Sequence, residues 1–227
     1  MPRPDLVIFD CDGVLVDSEP ITNALLQEDL ARRGLDLSLD QIMQNFVGGT
    51  MRGVGEEAAR MGADIPDNWV DLIYTEMHLR LARGTPVIDD VEAVMDALDK
   101  AGIPYCVGSN GSLAKMRITL GQHPALRARL DGRLYSAHTL GTAKPEPDMF
   151  LQAARDFGVE PKRTAVIDDS PAGCIAARRA GMIGFGYAAH DDGARLRAEG
   201  AHVFHHMRDL PGLLHVQTDL QGAGIGL

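Results

Sequence analysis

The 227-residue chain is 45% hydrophobic, enough to bury a sizeable core as one domain with an insertion or as two small domains. Its 22 Lys and Arg against 32 Asp and Glu leave a formal charge of −10 and a pI near 5.2, which opposes non-specific attraction to nucleic acid or to an anionic membrane. An anionic ligand would therefore need locally placed cations, and the acidic surface favours a soluble monomer.

The first apolar run, Leu6–Phe9, is too short for a signal peptide and meets acid at once, in the order Asp10-Cys11-Asp12-Gly13. With no membrane-spanning run, a cytoplasmic location is expected. Buried like charges repel and each must be desolvated, so two carboxylates closing a buried strand imply something positive or reactive beside them. Residues 18–84 then carry helical periodicity with no clear strand. The stripes run through Ile21, Leu25, Leu26 and Leu30; Ile42, Phe46 and Val47; Val54 to Met61; and Trp69 to Leu81. This reads as an all-helical cap inserted into the rest of the chain, hinged at Asp17–Glu19 and Arg83–Pro86.

After the insert, Val91, Val94, Met95 and Leu98 share a helical face that Gly102 ends. The second strand, Tyr105–Val107, leads to Ser109 and Asn110. Lys144, in Thr142-Ala-Lys-Pro-Glu-Pro-Asp148, precedes a helix marked by Phe150, Ala153, Ala154 and Phe157. A third strand, Thr164–Ile167, leads to Asp168 and Asp169, and Ser170-Pro171 is a helix start, the serine as N-cap. Further strands are expected at Ile183–Tyr187 and, more weakly, at His202–Phe204, before a loose tail at 221–227. Cys11, Cys106 and Cys174 are odd in number, lack metal-type spacing and lie in or beside apolar segments, so they read as buried fillers.

The alternation of strands and helices predicts an α/β fold, a Rossmann-like parallel sheet formed by residues 1–17 and 85–227, with residues 18–84 as the helical cap domain. Ligands of open parallel sheets bind beyond the carboxyl ends of the strands. Asp10, Asp12, Ser109, Asn110, Lys144, Asp168 and Asp169 should therefore converge there. Two carboxylates about 4 Å apart repel by roughly 4 kcal/mol at an effective dielectric near 20. A hard divalent cation relieves that repulsion, and oxygen donors without histidine suit Mg²⁺.

In Asp10-Cys-Asp12-Gly13-Val14, Val107-Gly-Ser109-Asn110-Gly111, Lys144-Pro145-Glu-Pro147 and Ile167-Asp168-Asp169-Ser170, in that order, the chain resembles the haloacid-dehalogenase-like hydrolases that carry a helical cap after the first motif. The resemblance extends to about residue 215 and implies a Mg²⁺-dependent phosphatase. Asp10 would attack phosphorus and become an aspartyl phosphate, and Asp12 would act as general acid and base. The metal would be held by Asp10, the Asp12 backbone carbonyl and Asp169, with Asp168 as a further ligand. Ser109, the Asn110 backbone and Lys144 would hold the phosphoryl oxygens. Gly13 would permit the turn after the acid pair. In the cap, Gly48-Gly49-Thr50-Met51-Arg52 is the candidate substrate surface, with Gly49 allowing close approach and Arg52 able to grip an anion.

Three positions bear on which member of the family is nearest. Thr22 stands where the sugar-phosphate mutases carry a cap-hinge histidine, and Glu76 where they carry a substrate lysine. No lysine lies between Ser18 and Gly84, which disfavours phosphonate cleavage through a Schiff base, and Asp12 disfavours a true dehalogenase. The motifs are also similar to those of bacterial phosphatases acting on phosphorylated sugars and sugar acids such as 6-phosphogluconate. The expectation is hydrolysis of a small phosphorylated metabolite. A phosphosugar mutase, a receiver-type signalling module and a retired enzyme acting as a binding protein are the alternatives.

Overall fold

The computed structural model describes residues 2–46 and 50–216. Val47 of the second helical stripe, Gly48 and Gly49, and the tail at 221–227 lie outside the described residues. The chain divides into two compact units, Met1–Val16 with Val87–Leu227, and Asp17–Pro86.

The first unit is built on six parallel strands, β1 (Leu6–Phe9), β2 (Tyr105–Ser109), β3 (Leu134–Ser136), β4 (Thr164–Asp168), β5 (Ile183–Tyr187) and β6 (His202–Phe204). They lie in the order β3-β2-β1-β4-β5-β6. Every residue of β1 is buried, as a strand with neighbours on both edges and both faces requires. Val7 and Phe9 enter one apolar cluster while Leu6 and Ile8 enter another, which is the two-residue alternation of a strand sandwiched between helical layers. Each of these side chains contributes about 1.5–3 kcal/mol by leaving water.

In the second unit, Asp17–Pro86, four helices pack together: α1 (Glu19–Arg32), α2 (Leu39–Phe46), α3 (Met51–Arg60) and α4 (Trp69–Ala82). Leu25, Leu26, Leu30, Ile42, Phe46, Val54, Trp69, Ile73, Met77 and Leu81 are buried, so most of the helical spacing read from the sequence is the spacing of this core, while Ile21 is half-buried and Met61, just past α3, is exposed. Around Trp69 the core carries a charge. Its indole Nε1 donates to Asp29 Oδ2 at 2.7 Å, and Arg33 Nε donates to the same oxygen at 2.7 Å while Arg32 Nη2 donates to Oδ1 at 3.0 Å.

The remaining helices belong to the first unit: α5 (Val91–Lys100), α6 (Leu113–Gly121), α7 (Pro124–Leu130), α8 (Ala137–Leu140), α9 (Asp148–Asp156), α10 (Pro171–Arg179), α11 (Ala194–Ala198) and α12 (Leu210–Leu213). Apolar residues of α5, α6, α7 and α12 share the cluster of Val7 and Phe9, and those of α9 and α10 share the cluster of Leu6 and Ile8. Where the chain leaves this unit and returns to it, Val16 and Val87 form an antiparallel bridge. The three cysteines are free and buried. No helix among the described residues is long and apolar enough to cross a membrane.

Candidate active site

Strand order reverses between β1 and β4, and in such sheets the crevice at that reversal, beyond the carboxyl ends, receives ligands. Asp10 follows β1 and keeps to the sheet's register, its N–H donating to Ile167 O on β4 at 2.8 Å. Asp168 is the last residue of β4 and Asp169 follows it. One carboxylate oxygen from each of Asp10, Asp168 and Asp169 can be chosen so that all three lie within 4.8 Å of one another.

Lys144 Nζ sits between two of these acids, donating to Asp10 Oδ1 at 2.6 Å and to Asp168 Oδ2 at 2.8 Å. Its side chain is only 3% exposed, and the ammonium also lies 5.4 Å from the centre of the Phe150 ring. Burial alone would pull the lysine down, but attraction to Asp10 and Asp168 and their hydrogen bonds outweigh burial and hold it protonated. The loop that presents it is fastened on two sides. Asn110 Oδ1 accepts from Lys144 N at 2.8 Å while Asn110 Nδ2 donates to Lys144 O at 3.3 Å, and Arg179 Nη1 donates to Pro145 O at 3.1 Å. The Lys144-Pro145 peptide is cis.

Asp168 is held by groups of its own. Its Oδ1 accepts from Ser170 N at 3.0 Å and from Ser170 Oγ at 2.7 Å, and Ser170 Oγ in turn caps α10 by accepting from Gly173 N at 3.1 Å. Asp169 is placed by a close approach of backbone. Gly13 has φ +76°, and a Cβ built there would fall 2.0 Å from Asp169 Oδ2. Glycine at position 13 is thus required twice, by its left-handed backbone and by the carboxylate lying against it.

Ser109 ends β2 with its side chain buried, and its Oγ accepts from Gly111 N at 3.0 Å. Asp12 is not one of the three clustered carboxylates. Its Oδ2 meets Lys115 Nζ at 2.8 Å, with side-chain exposures of 24% and 16%. Sequence reading did not single out Lys115. The one available signal was a lysine three residues beyond a helix-capping serine, Ser112, where the positive end of the helix disfavours a cation.

The electrostatics call for a further cation. Burial pushes Asp10 up to about 7, with repulsion from Asp168 and Asp12 adding to it and Lys144 pulling the other way. Four carboxylates, Asp10, Asp12, Asp168 and Asp169, share this end of the sheet with the ammonium groups of Lys144 and Lys115. A dianionic ligand would deepen that imbalance, whereas a hard divalent ion matches both the charge and the oxygen donors. The residues present fit Mg²⁺, which Asp10, Asp168 and Asp169 could hold.

In the other unit, Arg52 is exposed in the first turn of α3, where Thr50 Oγ1 caps the helix by accepting from Gly53 N at 3.2 Å. Gly49 lies outside the described residues. Thr22 Oγ1 donates to Glu19 O at 3.0 Å within α1. Glu76 Oε1 accepts from Arg80 Nε at 3.0 Å, and Arg80 Nη2 donates to Glu28 Oε2 at 2.6 Å, so an arginine already shared by two acids engages this glutamate.

The family model for haloacid dehalogenase-like hydrolases matches residues 4–181. A 6-phosphogluconate phosphatase of Escherichia coli K12 is 29% identical over 218 residues, covering 94% of this chain and 96% of the relative. A beta-phosphoglucomutase of Mycobacterium tuberculosis is 30% identical over 243 residues, covering 91% of this chain and 90% of its own. Among solved structures, a family hydrolase from Deinococcus radiodurans with bound phosphate and sodium superposes with a TM-score of 0.80 at 32% identity, covering 94% of this chain and 96% of the other.

Proposed function

Since the chain belongs to the haloacid dehalogenase-like hydrolases, we propose that it is a Mg²⁺-dependent phosphatase that cleaves small phosphate monoesters through a phosphoryl group carried on Asp10. The observation that carries this reading is the convergence of Asp10, Asp168 and Asp169 within 4.8 Å, with Lys144 joining the first two. When bound, Mg²⁺ would supply positive charge for the nucleophile and for the phosphoryl oxygens.

A carboxylate oxygen of Asp10 attacks phosphorus as the bond to the leaving oxygen breaks, and Asp12 gives that oxygen a proton. Water then attacks the phosphoryl group, Asp12 takes the water's proton, and inorganic phosphate leaves with the Asp10 carboxylate regenerated. Throughout, Lys144, Ser109 Oγ and the Asn110 N–H hold the phosphoryl oxygens. Lys144 also screens the repulsion between an anionic nucleophile and an anionic substrate. The unit Asp17–Pro86 would act as the cap, with Arg52 as its candidate substrate contact.

A phosphosugar or phosphosugar acid is the substrate class, supported by relatives named for 6-phosphogluconate and for hexitol phosphates. The mutase relatives keep a second reading alive, isomerisation of a phosphosugar through the same phosphoryl-aspartate. Against it stand Thr22 and the Arg80-bound Glu76, which offer no cation to a second phosphate. A receiver-type module is not the family to which the chain belongs.

The test is phosphate release from sugar phosphates, sugar-acid phosphates and phosphoglycolate. Release should require Mg²⁺, stop with EDTA and be lost in Asp10→Asn, whose fold is checked by circular dichroism. Conversion of one monophosphate isomer into another without phosphate release would favour the mutase reading, and full turnover by Asp10→Asn would discard both.

A further inference from the structure

Lys115 has no part in the chemistry above, yet it is built into the same end of the sheet. It occupies the first turn of α6, where a cation opposes the helix dipole at a cost of about 0.3–1 kcal/mol. Its own N–H is held by the capping Ser112 Oγ at 3.2 Å, which fixes the root of the side chain. The stem then passes over Gly111, where an added Cβ would meet Ser109 Oγ at 3.2 Å, Asp12 Oδ2 at 3.6 Å and Lys115 Cδ at 3.7 Å. Gly111 is itself pinned at both ends, its N–H donating to Ser109 Oγ at 3.0 Å and its carbonyl accepting from Ser136 Oγ at 2.7 Å. Root, path and end point of the lysine are all fixed, and its end point is Asp12 Oδ2 at 2.8 Å.

We propose that Lys115 is the positioning residue for Asp12, fixing through Oδ2 the plane in which that carboxyl passes its proton to the leaving oxygen. The inference rests on the reading of Asp12 as general acid and base. As the phosphorus–oxygen bond breaks, its electron pair goes to the leaving oxygen and the Asp12 proton follows. A carboxyl free to rotate delivers that proton less often, and misplacement by about 1 Å can cost on the order of 10²-fold. The loss falls on poor leaving groups. An alkoxide must be protonated as it departs, whereas p-nitrophenolate leaves as a stable anion.

The experiment compares 6-phosphogluconate, an alkyl ester, with p-nitrophenyl phosphate in wild type, Lys115→Met, Lys115→Arg and Asp12→Asn, all loaded with Mg²⁺ and checked for folding by thermal melt. Methionine keeps the apolar stem and removes the charge. Lys115→Met should lower kcat/KM, which reports the step that expels the leaving group, by about 10²-fold on the alkyl ester, leave kcat/KM on the aryl ester within a few-fold of wild type, and be partly rescued by Lys115→Arg. The kcat, which includes the Asp12-dependent hydrolysis shared by both esters, should fall on both. Equal losses of kcat/KM on both esters would show a merely structural tie and overturn the proposal, as would no loss on either. If Asp12→Asn is selective for the alkyl ester and Lys115→Met is not, the role of Lys115 alone falls. If Asp12→Asn is equally unselective in kcat/KM, the reading of Asp12 as the acid falls and takes the proposal with it.

Discussion

Asp10 combines demands that rarely meet in one carboxyl: buried, beside other acids and, in the proposed mechanism, required in ionised form to attack phosphorus. Lys144 meets part of that demand, yet burial still pushes Asp10 from 3.8 to about 7. A carboxyl raised in the folded state holds its proton longer there than in the unfolded chain. Its contribution to stability is therefore full below pH 4 and is lost as pH climbs toward 7. Metal-free wild type should accordingly lose stability relative to Asp10→Asn across that window, by on the order of a few kcal/mol, measured as the difference in urea unfolding free energy at pH 5 and pH 8. A constant difference would show that the burial cost is absent. Asp10, Asp12, Asp168 and Asp169 were legible in the sequence because acids at the end of apolar runs have no structural reason to be there. Lys115 was not, since its position on α6 follows no apolar run and only the folded chain brings it to Asp12.

At the scale of elements, legibility followed burial. Strands β1 and β4 are buried along their whole length and read directly as unbroken apolar runs. Strand β2 runs to Ser109 and β4 to Asp168, each beyond the apolar run that announced it, because ladder pairing extends to polar residues that periodicity excludes. Strand β3, only Leu134–Ser136 and half-buried at the sheet's edge, left no pattern to find. The four helices of the inserted unit were plain in their stripes, but the charge in their core was not. There, burial alone would raise Asp29, and hydrogen bonds from Arg33, Trp69 and Arg32 overcome it, so its carboxyl lies below the usual range. A lowered carboxyl stabilises above its ordinary value of 3.8, and the stabilisation is lost as pH falls through the folded value. Trp69→Phe should cost about 2 kcal/mol at neutral pH, through loss of one hydrogen bond to a buried charge. The cost should shrink in acid, and a pH-independent loss in chemical unfolding would assign it to packing instead.

The whole molecule carries ten more negative charges than positive, yet it gathers its site from segments as far apart in sequence as Asp10 and Asp169. The strand order β3-β2-β1-β4-β5-β6 makes this possible, since it sets β1 beside both β2 and β4 and brings three motifs to one end of the sheet. Lys144 joins them from the loop before α9, tied in by Asn110. Fold class and the carboxylate cluster could be read ahead because order of motifs and order of strands are linked by the rules of parallel sheets. The substrate specificity proposed for the inserted unit could not, because specificity depends on the shape of a surface rather than on a pattern along the chain. The central claim, that Asp10 itself carries the phosphoryl group, is tested most directly by mixing the Mg²⁺-loaded enzyme with 6-phosphogluconate, quenching in acid within one turnover and locating any phosphoryl group by peptide mass. A phosphoryl group on the peptide containing Asp10, absent in Asp10→Asn, is the expected result. Rapid phosphate release with no covalent phosphoryl group on that peptide at any quench time would contradict it.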